Sequence, residues 1–118
     1  MKKILLIDDE EEFCSSIKGF LESSGEFQVT TCIDGTKALD LVLQHKPDLV
    51  LLDVMMPKIG GMKIAQKLSA VPQTRQTPIV FITALPLEQE GQEFVIKPVD
   101  VISLKGKLVE VLNRPRAG

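Results

Sequence analysis

Short, uninterrupted apolar runs alternate with amphipathic stretches along the whole chain. Lys3 to Ile7 is a run of Ile and Leu that ends in Asp8-Asp9-Glu10. Leu49 to Leu52 runs without interruption into Asp53, bounded by Pro47 and Pro57. Pro78 to Thr83 and Phe94 to Ile96 have the same character and end in Thr83 and Lys97. Continuous apolar runs of this length suit strands buried on both faces. Phe27 to Cys32 also reads as a strand, but more polar, so it belongs near an edge.

Helical periodicity fills the intervals. Glu11 to Ser24 places Phe13, Ile17, Phe20, Leu21 and Ser24 on one face, with acids at its start and Gly25 as a stop. Asp34 can cap a second helix with Ala38, Leu41, Val42 and His45 inward, ended by Pro47. His45, the one histidine, complements the dipole at that helix's C-terminus. Met62 to Ala70 is a third, with Ile64, Ala65 and Leu68 inward. Val71 to Thr77 is a polar connector. Asp100 can cap a last helix with Val101, Leu104, Leu108 and Val111 inward. Leu85 to Glu93 shows no helical period and carries Pro86 and Gly91. The order is βαβαβαβ, a stunted crossover, then βα. Such alternation predicts a parallel sheet with helices on both faces and right-handed crossovers.

Composition narrows the picture. With 118 residues, 44% apolar and 25% charged, the chain suits one folded domain. A net charge of -2 argues against a nucleic-acid face. No apolar run approaches the roughly 20 residues of a membrane span. The start has a faint signal-peptide flavour, but its apolar stretch is short and ends in acids, so a cytoplasmic location is expected. Cys14 and Cys32 form no CxxC and no zinc spacing, and read as reduced thiols acting as small hydrophobes.

In a parallel sheet the polar strand ends collect on one edge: Asp8, Asp9, Asp53, Thr83 and Lys97. Ligands of open α/β sheets bind there. Three carboxylates in proximity repel one another and call for a cation. Oxygen ligands without His or Cys favour a hard ion, Mg2+ or Mn2+. With that ion, Asp53 can attack a phosphoryl donor. Lys97 and the ion would neutralise the transferred group.

These residues resemble the receiver domains of two-component response regulators, over nearly the whole chain. The marks are Asp8-Asp9 after the first strand, Asp53 in Leu-Leu-Asp-Val-Met-Met-Pro, Gly61, Thr83-Ala84 and Lys97-Pro98. The resemblance implies a flavodoxin-like, doubly wound five-stranded sheet of order 2-1-3-4-5 over residues 1–113, with 114–118 a tail or the start of a linker. It implies Asp53 as phosphoacceptor. Asp8, Asp9, Asp53 and the Met55 carbonyl are the expected metal site, Asp8 through water. Lys97 is expected to bind phosphate, and Thr83 and Phe94 to form a switch pair. A cis bond is expected before Pro98. The expected function is acceptance of a phosphoryl group from a histidine kinase or phosphotransfer protein, with signalling to an output domain or partner that the sequence does not name. No small-molecule turnover is expected.

Residues 84–96, between Thr83 and Lys97, are fewer than the family usually carries, so the fourth helix is expected to be shortened or missing. That leaves an alternative, a receiver-like interaction module that works without phosphorylation. Haloacid-dehalogenase-like phosphatases also use a strand-end Asp, but want a second Asp where this chain has Met55. Flavin binding lacks a phosphate cradle, and Trp and Tyr are absent for stacking.

Overall fold

The computed structural model describes residues 1–88 and 90–115. Its elements are β1 (Lys2–Ile7), α1 (Glu11–Ser23), β2 (Phe27–Cys32), a 3-10 turn (Gly35–Lys37), α2 (Ala38–His45), β3 (Leu49–Asp53), α3 (Gly61–Ala70), β4 (Ile79–Thr83), β5 (Glu93–Ile96) and α4 (Val101–Leu112). The five strands form one parallel sheet in the order β2-β1-β3-β4-β5. The flavodoxin-like order expected from the sequence is therefore present. The more polar strand, β2, lies at an edge as its composition requires.

The apolar runs occupy the sheet centre. All five residues of β3 are buried, as are Ile4 to Ile7 of β1. Successive side chains of a strand face opposite ways, so the runs feed two cores. Leu49 and Leu51 join Ile4, Leu6, Ile17, Leu21, Leu104 and Leu108 beneath α1 and α4. Val50 and Leu52 join Leu5, Ile7, Val42, Ile64 and Leu68 beneath α2 and α3. Burial of large aliphatic side chains at about 25 cal/mol per Å² is the main stabilising force here.

Local chemistry sets the element ends. Asp34 caps the 3-10 turn, its Oδ1 accepting from the Thr36 N–H at 3.0 Å. Asp100 caps α4 in the same way through the Ile102 N–H. Gly25 takes a positive φ of 78° just past α1, as its role of stop requires. Helix α1 ends one residue earlier than its period suggests, leaving Ser24 exposed, and Cys14 joins its buried face. Helix α2 ends through Lys46, whose φ of 48° is left-handed without glycine; Pro47 alone signalled the stop. In the polar connector Thr74 is buried, its hydroxyl donating to the Leu68 carbonyl at the end of α3.

Between β4 and β5 there is no helix among the described residues, and Gln89 lies outside them. The helix here called α4 thus stands where the family's fifth would be. Of the tail expected at 114–118, residues 116–118 lie outside the described residues.

Candidate functional site

Register brings the polar strand ends together. Ile7 pairs with Leu52, and Asp53 with Ile82, so Asp8, Asp53 and Thr83 emerge along the same edge. The Asp8 N–H extends the ladder to the Cys32 carbonyl at 3.0 Å, and the Lys97 N–H extends it to the Thr83 carbonyl at 2.8 Å. The backbone therefore fixes where these side chains begin. The Lys97–Pro98 peptide is cis.

Asp8, Asp9 and Asp53 each offer a carboxylate oxygen, and these oxygens lie within 4.8 Å of one another. Asp8 is 0% exposed and Asp53 4%, while Asp9 faces solvent. Burial, and then repulsion from Asp8, push the Asp53 carboxyl up to about 6. Lys97 and a 3.2 Å hydrogen bond from the Met55 N–H oppose that rise.

Lys97 is the cation of the site. Its Nζ stands 2.7 Å from Glu10 Oε1, 3.1 Å from Asp8 Oδ2 and 3.7 Å from Asp53 Oδ2. It also lies 4.9 Å from the centroid of the Phe13 ring. Burial pulls its proton affinity down, but the hydrogen bond to Glu10 and the charges of Asp8 and Asp53 more than offset this, so it stays protonated. Asp8 Oδ2 has the Lys97 ammonium at 3.1 Å as its charge partner and no other donor among the described residues. A buried carboxylate oxygen with a single cationic partner has room for a further one. Three hard carboxylate oxygens this close together suit a divalent cation.

Two other expected residues are placed differently from a simple convergence. The Thr83 hydroxyl is turned into its own loop, donating to the Leu85 carbonyl at 2.8 Å and accepting from the Leu85 N–H at 3.2 Å. Phe94 lies on β5, half-buried against the α2–α3 core beside Phe81. Gly61 has a structural reason. A Cβ there would stand 2.2 Å from the Asp53 carbonyl oxygen, so only glycine lets α3 start against the end of β3.

Spacing alone does not mark Glu10 or Phe13 as site residues, yet both approach the Lys97 ammonium. The available signal was Glu10's place directly after the acidic pair, at the N-cap of α1. Cys14 is buried under the same edge, its Sγ donating to the Asp8 carbonyl at 3.3 Å. Burial, then the charge of Asp8, push its thiol up to about 12, which makes it unreactive. Both cysteines are free and buried, as their spacing suggested.

With this geometry in place, comparison with known proteins decides the family. The response regulator receiver domain matches residues 4–108. The chain belongs to that family. It is 41% identical over 97% of its length to the transcriptional regulatory protein CpxR of Escherichia coli (strain K12), covering 50% of that protein. It is 35% identical to the response regulator Rre1 of Synechocystis sp., over 97% of the chain and 53% of that protein. The chain thus spans about half the length of these relatives. Among solved structures, the chemotaxis response regulator CheY4 of Vibrio cholerae superposes with a TM-score of 0.86 at 27% identity, covering 94% of this chain and 98% of that one. Among the described residues no helix is long and apolar enough to cross a membrane.

Proposed function

We propose that Asp53 accepts a phosphoryl group from a phosphohistidine of a histidine kinase or phosphotransfer protein. An Asp53 carboxylate oxygen attacks phosphorus, the P–N bond breaks, and the imidazole leaves with the bonding pair and takes a proton from solvent. At neutral pH a carboxyl near 6 is mostly ionised, so the nucleophile is ready. Lys97 faces the charge that develops on the transferred group.

The observation that carries the reading is the convergence of the Asp8, Asp9 and Asp53 carboxylates, within 4.8 Å of one another, beside the Lys97 ammonium. Asp8, Asp9, Asp53 and the Met55 carbonyl would hold Mg2+ or Mn2+, with Asp8 reaching it through water. The bound ion would relieve the mutual repulsion of the acids and screen charge on the phosphoryl oxygens. Lys97 would then bind a phosphoryl oxygen. Thr83 would give up the Leu85 carbonyl and donate to another, and Phe94 would turn inward behind it, a shift between two arrangements that the phosphoryl group biases. The domain works in the cytoplasm, binds no nucleic acid itself, and passes its state to an output domain or partner. The domain proper spans 1–113.

Met55 and Leu85 flank the site at 77% and 74% exposure, and neither side chain can orient an attacking water. The phosphoryl group is therefore expected to persist without a phosphatase; a lifetime of seconds on the isolated domain would contradict this.

The reading is tested by incubating the protein with acetyl phosphate and Mg2+ and weighing it intact. One phosphoryl group should add, and chelation by EDTA or Asp53→Asn should abolish it. No addition in the wild type would favour an interaction module that works without phosphorylation. Addition that survives in Asp53→Asn would move the acceptor elsewhere.

A further inference from the structure

We propose that Glu10 is a positioning residue that holds Lys97 away from Asp53 until a phosphoryl group displaces it. The inference rests on the phosphoacceptor reading of Asp53. Three acids surround the Lys97 ammonium, and the shortest contact is not to a buried one. It is to Glu10, at 2.7 Å, whose side chain is 63% exposed. Asp53 is the most distant, its Oδ2 at 3.7 Å, beyond hydrogen-bond reach. The ammonium is thus held between Glu10 and the buried Asp8 Oδ2, at 3.1 Å, and not against Asp53.

Glu10 is built to do this. It stands at the N-cap of α1, yet its side chain makes no cap hydrogen bond. Its backbone is fixed on both sides: its N–H donates to Asp8 Oδ1 at 2.9 Å, and its carbonyl accepts from the Cys14 N–H at 3.0 Å. The root of the side chain is therefore fixed beside Lys97, whose ammonium lies 4.9 Å from the centroid of the Phe13 ring. Phosphorylation of Asp53 would place new negative charge on the far side of the ammonium. Lys97 then exchanges the Glu10 carboxylate for a phosphoryl oxygen. Glu10 loses little on release, because it is already wet and stays at the positive end of the α1 dipole.

Removing the latch should leave Lys97 held by Asp8 alone and easier for a phosphoryl mimic to recruit. Beryllium trifluoride is titrated into the protein at fixed Mg2+, and bound fluoride is followed by 19F NMR. Glu10→Gln should tighten its apparent Kd by roughly threefold, the effect supported by an ion pair with one exposed partner. Glu11→Gln removes the same charge one residue along, where no contact with Lys97 exists, and should change the Kd less than Glu10→Gln does. Unchanged or weaker binding by Glu10→Gln would overturn the latch. Equal tightening in both variants would also overturn it, because the effect would then be long-range charge. If the wild type neither binds beryllium trifluoride nor takes phosphoryl from acetyl phosphate, the phosphoacceptor reading fails and the latch with it. If the wild type binds and Glu10→Gln is no tighter, only the latch fails.

Discussion

The centre of the sheet and its β4–β5 edge are built to different standards. On β3 every residue is buried, with helices above and below, and Asp53 leaves a strand that has no freedom to shift. On β5 three residues are half-buried and Ile96 is exposed. No helix among the described residues follows β4, so α3 and β5 flank an open groove lined by Met62, Ala65, Ile79, Phe81 and Gln92. The clustered carboxylates of Asp8 and Asp53 end the well-buried strands, while Phe94 and the loop after Thr83 lie at the less covered edge. Catalytic geometry needs fixed starting points, and a switch needs two accessible arrangements. On the proposed function, one fold would supply both by covering its strands unequally.

The comparison can be broken by mutation. Leu51→Ala should cost about 4 kcal/mol in urea unfolding, because Leu51 is fully buried in the centre. Phe94→Ala removes a larger side chain but should cost only about 1–2 kcal/mol, since its site on β5 is half-open. Equal costs would mean that the edge is as tightly packed as the centre. Gly61→Ala should destabilise by about 3 kcal/mol and impair phosphoryl uptake, because the added Cβ meets the Asp53 carbonyl at 2.2 Å. A neutral outcome would show that α3 can slide off β3.

The two regions should also respond oppositely to pH. Asp53 has a folded pKa raised from 3.8 to about 6, so unfolded chains release its proton first. Stability is then lost as pH rises from about 4 to about 6, and Asp53→Asn should regain it. In EDTA at pH 7.5 this variant should be more stable than the wild type by up to about 3 kcal/mol, at about 1.4 kcal/mol per pH unit, with the gain gone near pH 3. Glu93 at the start of β5 behaves in the reverse sense. The hydrogen bond from Arg114 holds its carboxyl below the ordinary 4.5, against a smaller effect of burial, with Lys107 assisting. Its contribution is present above 4.5 and lost as pH falls through the folded value. Glu93→Gln should therefore destabilise slightly, by under about 1 kcal/mol at neutral pH and not at all in strong acid.

Much of this was legible in the sequence, for physical reasons. Leu49 to Leu52 could only be a doubly buried strand, and the polar residues ending the runs had to share an edge. The shortness of residues 84–96 and the presence of Pro86 and Gly91 announced the missing helix. Other features depend on tertiary contacts that no local pattern encodes. Lys97 reaches Glu10 across 87 positions, and its preference for that acid over Asp53 is a matter of ångströms. Lys46 takes a left-handed conformation without the glycine that would have signalled it. Thr83 turns its hydroxyl into its own loop, where the bend at 84–85 brings the Leu85 carbonyl and N–H within reach.

The most direct test of the central claim is to locate the acyl phosphate chemically. Protein treated with acetyl phosphate and Mg2+ is reduced with borohydride, digested and sequenced by tandem mass spectrometry. Reduction converts an aspartyl phosphate to homoserine. The account predicts homoserine at position 53 alone. Homoserine at position 8, 9 or 48, or none in a protein that has gained phosphoryl mass, would contradict it.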